Sequence, residues 1–116
     1  MMKQGRYMSQ SMGFGDAARD CRKLVRECGI SIVINVENRR NNYYNTQIIS
    51  AKTDNKEIFS LHTVTDEIGA SYKLCYDGDD YTPKNLYQMI KAKSLCRFLN
   101  RKAKRYNNKL AEYLQR

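Results

Sequence analysis

The sequence predicts one α+β domain in the order helix, four-stranded antiparallel meander, long C-terminal helix (α-β-β-β-β-α). Three observations carry that expectation. Apolar residues recur at three- and four-residue steps near the start of the chain and again over its last third, which is the helical period. Between those stretches they alternate with polar residues, the period of a half-buried strand. Only short polar turns separate the alternating runs, so successive strands run antiparallel. At 116 residues the chain has room for a single core without metals or disulfides.

Residues 1–13 are rich in Met, Gly, Ser and Gln with no periodicity, and are expected to form a flexible N-terminal arm. Residues 14–116 form the domain. Phe14, Ala17/Ala18, Cys21, Leu24/Val25 and Cys28 mark the first helix, with Asp16 expected to cap its start and Gly29 to end it. Ile30 to Glu37 alternates as a strand, and Asn38-Arg39-Arg40-Asn41-Asn42 has the composition of a turn. Tyr43 to Thr53 is β-rich, so Tyr43 and Tyr44 are expected on opposite faces with one of them exposed. Asp54-Asn55 is a tight turn, Glu57 to Thr65 a third strand, and Ala70 to Tyr76 a fourth, with Tyr72 and Tyr76 on the core face beside Leu74. Asp77-Gly78-Asp79-Asp80 closes the sheet.

Thr82-Pro83 reads as the N-cap and first residue of the last helix. Neither Pro nor Gly follows Lys84, so a helix over 83–116 would be about 50 Å long. Its apolar stripe is broad from Leu86 to Leu99, including Ile90, and narrows beyond Asn100 to Ala103, Tyr106, Leu110 and Tyr113. The second half is expected to project from the sheet or fold back at Asn107-Asn108. The strict 3-4 spacing from Met89 to Tyr113 is compatible with a homodimer through this helix.

Charge is the most informative feature. The chain carries 21 Lys and Arg against 12 Asp and Glu, a net +9. Through Pro83 there are 11 basic and 11 acidic residues, whereas Lys84 to Arg116 holds 10 basic residues and one acid, Glu112. A surplus confined to one segment makes a directional field that attracts polyanions. At 100° per residue, Lys93, Arg97, Arg101 and Lys104 form one stripe, and Lys102, Arg105 and Lys109, with Lys84 and Lys91, form a second. Arg39 and Arg40 are an auxiliary basic hairpin tip, and Tyr43 and Tyr44 are candidate stacking surfaces for unpaired bases.

These residues predict a small non-catalytic nucleic-acid-binding protein, with RNA or single strands favoured slightly over duplex DNA. The alternative is a small regulator or inhibitor that grips an acidic or nucleic-acid-processing protein through the same helix. Ten asparagines among many Lys and Ile residues accord with an AT-rich genome such as many phages carry. The order helix, strands, helix resembles the double-stranded-RNA-binding domain, and a sheet followed by a long basic helix resembles the ribosome-hibernation factors. Both likenesses are of topology, and no residue is carried over from either.

Other chemistries find little support. Cys21, Cys28, Cys75 and Cys96 lack C-x-x-C spacing, and His62 is the one histidine, so buried free thiols are expected rather than a metal site. Neither a cofactor fingerprint nor an acid–base pair is present in the sequence, and no catalytic residue is assigned. Asp77, Asp79 and Asp80 read as a turn whose charge favours a helix N-terminus. The last helix has little to insert into lipid, so no membrane partner is expected. The absence of an apolar leader in residues 1–10 predicts a cytoplasmic, nucleoid or nuclear setting.

Overall fold

A computed structural model of the protein describes residues 13–115, without the side chains of residues 30, 106–111 and 113. Apart from Gly13, the expected N-terminal arm lies outside the described residues. The elements are α1 (Phe14–Cys28), a 3-10 turn (Gly29–Ser31), β1 (Val33–Arg40), β2 (Asn45–Thr53), β3 (Lys56–Thr65), β4 (Ala70–Tyr76), β5 (Asp79–Tyr81) and α2 (Leu86–Leu114). The strands form one antiparallel sheet in the order β1-β2-β3-β4-β5. The α+β class and the meander are as the sequence predicts, with five strands instead of four.

Turn chemistry fixes this meander. At one end of the sheet the hairpins are two-residue turns. Asp54 and Asn55 have φ of 51° and 65°, and Asp77 and Gly78 have φ of 54° and 81°. Positive φ at both central residues matches the twist of the flanking strands. The extra strand β5 follows from the Asp-Gly turn; three polar residues are too few to display a period. At the other end the loops are longer and share one design. Asn41 Oδ1 accepts from the Tyr43 and Tyr44 amides at 2.8 and 2.9 Å, and Asp66 Oδ1 accepts from those of Ile68 and Gly69 at 2.8 and 3.0 Å. Each side chain thereby mimics a backbone turn.

Both helices cover the same sheet face. Ile34, Ile49, Ala51, Phe59, Leu61 and Leu74 meet Phe14, Ala17, Cys21 and Val25 of α1 and Ala92, Leu95, Leu99 and Ala103 of α2 in one core. The helices run side by side in the same direction, as three contacts along their length show. A Cβ at Gly15 would stand 3.9 Å from the Tyr87 ring, Arg22 bonds Ser94, and Arg26 lies over Phe98.

Several local expectations are corrected. Asp16 sits inside the first turn of α1, whose N-cap is Gly13, and there it forms an ion pair with Arg19. Gly29 does end α1, at φ 57°. Asn38, Arg39 and Arg40 belong to β1, paired with Gln47, Thr46 and Asn45; the turn is confined to 41–44 because Asn41 starts it. Tyr43 and Tyr44 are therefore loop residues, and both are exposed (81% and 46%). The last helix starts at Leu86, not Pro83. Asn85 caps it, with Oδ1 accepting from the Gln88 amide at 2.8 Å and its carbonyl from the Met89 amide. Leu86 and Ile90 are exposed, since they project opposite Leu95 and Leu99 on the helical wheel. The helix continues unbroken through residues 107–108. Only Cys21 of the four free thiols is fully buried; Cys28, Cys75 and Cys96 are half-buried.

Two outcomes are expected. Leu61 is wholly inaccessible at the centre of the core, so Leu61→Ala should lower unfolding free energy by about 2–5 kcal/mol in a urea titration. A loss well under 1 kcal/mol would contradict the packing. Burial also raises the Cys21, Cys75 and Cys96 thiols and the Tyr72, Tyr76 and Tyr81 phenols above their ordinary values. The native state then holds these protons more tightly than the unfolded chain. Stability is fully present below the unfolded thiol value of 9.0 and declines as pH rises through and above it. The urea midpoint should fall between about pH 8 and about pH 10.5; a constant midpoint would contradict it.

Candidate nucleic-acid interface

The core takes one face of α2, and that leaves its cations outside. Lys93, Arg97, Arg101, Lys104 and Arg105 are exposed and Lys102 is half-buried. Three ion pairs are present among the described residues: Asp16 with Arg19, Glu27 with Lys23, and Glu37 with Arg39. None uses a cation of α2. Lys109 lies in α2, but its side chain is outside the described residues. Ala92, Leu99 and Ala103 of the 3-4 seam are buried within the chain's own core, so that stretch is not free to meet a second copy.

Sequence reasoning missed the contribution of α1. Arg22 reaches across the helix pair, its Nη2 donating to Ser94 Oγ at 3.0 Å and to the Ser94 carbonyl at 3.3 Å. Its Cζ lies 4.7 Å from the centroid of the Phe98 ring; Arg26 Cζ lies at 5.6 Å and Lys102 Nζ at 5.7 Å. Cation–π attraction holds each charge near the ring. Desolvation, and then repulsion from Arg26 and Arg101, lowers the pKa of Arg22. Like charges are thus gathered, and none of Arg22, Arg26, Arg101 and Lys102 forms an ion pair among the described residues. The signal was present in the sequence: Asp16–Arg19 and Lys23–Glu27 pair at i,i+3 and i,i+4, whereas Arg22 and Arg26, four apart, have no acid three or four residues away in α1.

The hairpin candidates are divided. Alternation along β1 puts Arg39 on the uncovered sheet face and Arg40 on the helix side. Arg39 is neutralised by Glu37, its Nε and Nη2 standing 2.7 and 2.6 Å from Oε2. Arg40 Nε donates to the neutral Asn45 Oδ1 at 3.1 Å and has no carboxylate partner among the described residues. Tyr43 and Tyr44 occupy the loop between Arg40 and Asn45. Both arginines border one cleft, but the charge of Arg39 is met by Glu37, whereas Arg40 keeps its charge beside the two tyrosines.

The uncovered sheet face is mixed and polar. His62 stands near its centre with Nε2 3.1 Å from Ser60 Oγ, flanked across the strands by Ile48 and Lys73. Among the described residues no three His, Cys, Asp or Glu side chains are placed to hold a metal ion. No helix among them is long and apolar enough to cross a membrane. Comparison of the chain with protein-family models, curated proteins and solved structures finds no match, which leaves geometry and charge as the grounds for assigning a function.

Proposed function

We propose that the protein is a non-catalytic nucleic-acid-binding protein that lays the joint outer surface of α1 and α2 along a phosphate backbone. The observation that carries this reading is the gathering of Arg22, Arg26 and Lys102 around Phe98, with Arg101 close enough to repel Arg22 and none of the four in an ion pair among the described residues. A phosphate placed there would relieve that repulsion, and counterion release would drive the association. Arg97, Lys104 and Arg105 extend the same field along α2. The exposed Tyr43 and Tyr44 favour RNA or single strands, whose unstacked bases they can receive. The free cysteines fit a reducing setting, cytoplasmic or nucleoid.

The test is a salt series of binding isotherms with single- and double-stranded RNA and DNA. The logarithm of affinity should fall with the logarithm of salt by about 0.7–0.9 per phosphate contacted. The triple variant Arg26→Glu, Arg101→Glu, Arg105→Glu should bind roughly 100-fold more weakly at low salt, with a shallower slope and an unchanged circular dichroism spectrum. Parent-like binding by this variant would overturn the reading. So would weak, featureless retention of every nucleic acid together with a stoichiometric complex with one acidic protein of the native host.

A further inference from the structure

The helix-covered sheet face changes character along its strands. One cross-strand row is apolar: Val36, Ile49, Leu61 and Leu74, each paired with the next. Two residues nearer the 41–44 loop, the matching row is Asn38, Gln47, Thr63 and Tyr72; beyond it come Arg40, Asn45, Thr65 and Ala70. Val or Leu at these places would extend the core, and amides and hydroxyls there are costly unless each finds a partner.

The partners are only partly supplied. Gln47 Nε2 donates to Asn38 Oδ1 at 3.0 Å, and Asn100 Nδ2 donates to Gln47 Oε1 at 3.2 Å. Cys96 Sγ is 3.4 Å from the same oxygen. Thr63 is 8% exposed, and its Oγ1 is buried without a formed hydrogen bond. The Cys96 thiol is its polar neighbour and a weak acceptor. A cleft of about 520 Å³ opens at this point between β1–β4 and α2, with no Asp or Glu in its wall.

We propose that this cleft receives one unpaired nucleotide of a bound strand, a reading that rests on the function proposed above. The amides of Asn38, Gln47 and Asn100, bonded to one another, present donors and acceptors side by side that a base edge can take over, and Thr63 Oγ1 offers a further group faced only by the weakly accepting Cys96 thiol. Tyr72 gives an aromatic wall, and Arg40 at the rim meets the phosphate. Tyr43 and Tyr44, in the loop joining Arg40 to Asn45, stack on the neighbouring bases. A paired base has its Watson–Crick edge occupied and cannot enter, so the cleft selects single strands.

Thr63→Val tests this, because it removes the weakly partnered hydroxyl and keeps the branched shape. A merely structural role predicts a fall in melting temperature. The cleft predicts a melting temperature retained or raised, with binding of a single-stranded oligonucleotide weakened roughly fivefold and duplex affinity and salt slope unchanged. Full single-strand affinity in this variant would overturn the proposal. Independently, titrating the parent chain with a nucleoside 5′-monophosphate should shift the amide resonances of Gln47, Thr63 and Asn100. Resonances that stay in place would also overturn it. The mononucleotide response does not depend on the α1–α2 cluster, so Arg26→Glu, Arg101→Glu, Arg105→Glu should retain it. Failure of the basic-face reading appears in the salt series, and failure of the cleft appears in these resonances.

Discussion

Two helices lying side by side on one face of the sheet are the constraint on which the remaining features depend. Their buried edges intersperse small residues, Ala17, Ala18 and Cys21 on α1 and Ala92 and Ala103 on α2, among larger ones such as Phe14, Val25, Leu95 and Leu99, and the small ones let the backbones approach. At the N-terminal ends of the two helices, a Cβ on Gly13 would come within 3.1 Å of Gln88 Nε2, tighter than ordinary contact. Because the apolar edge of α2 is narrow beyond Leu99, its many cations have no place except outward. Burial of a few alanines and leucines therefore sets the direction of the charge.

The helices also share a direction, and that sorts charge along the molecule. Their N-termini lie together near Asp16, Asp79 and Asp80, where the positive ends of the helix dipoles favour acids. Asp54 and Asp77 occupy the tight-turn end of the sheet. The arginines gather further along, with Arg26 in the last turn of α1, where the dipole favours a cation. Acidic and basic residues are equal in number through Pro83, but the one acid lining the α1–α2 groove among the described residues is Asp16, at its N-terminal end and already paired with Arg19. The positive field survives folding for that reason.

Much of this fold is legible from residue order. Ala70 to Tyr76 is legible to its ends, since a clean alternation lies between two strong turn signals. The buried stripe of α1 and the inward face of α2 around Leu95 and Leu99 follow from period alone. Errors arise where a local side-chain bond overrides composition. Asn38-Arg39-Arg40 has turn residues but is strand, because Asn41 builds the loop after it. Thr82-Pro83 resembles a helix start, yet Asn85 makes the cap. The cleft is invisible in the sequence for a different reason: Asn38, Gln47 and Thr63 are far apart along the chain, and only the register of three strands sets them in one row beneath Asn100. Pairing α1's cations with those of α2 likewise requires the helix crossing.

Binding along the joint face of α1 and α2 is tested most directly by a contact map. With a single-stranded oligonucleotide at saturation, amide and side-chain resonances should move at Arg22, Arg26, Phe98, Arg101 and Lys102 and stay fixed at His62 and Lys73 on the uncovered sheet face. Shifts confined to that opposite face, or a spectrum the oligonucleotide leaves untouched, would contradict it.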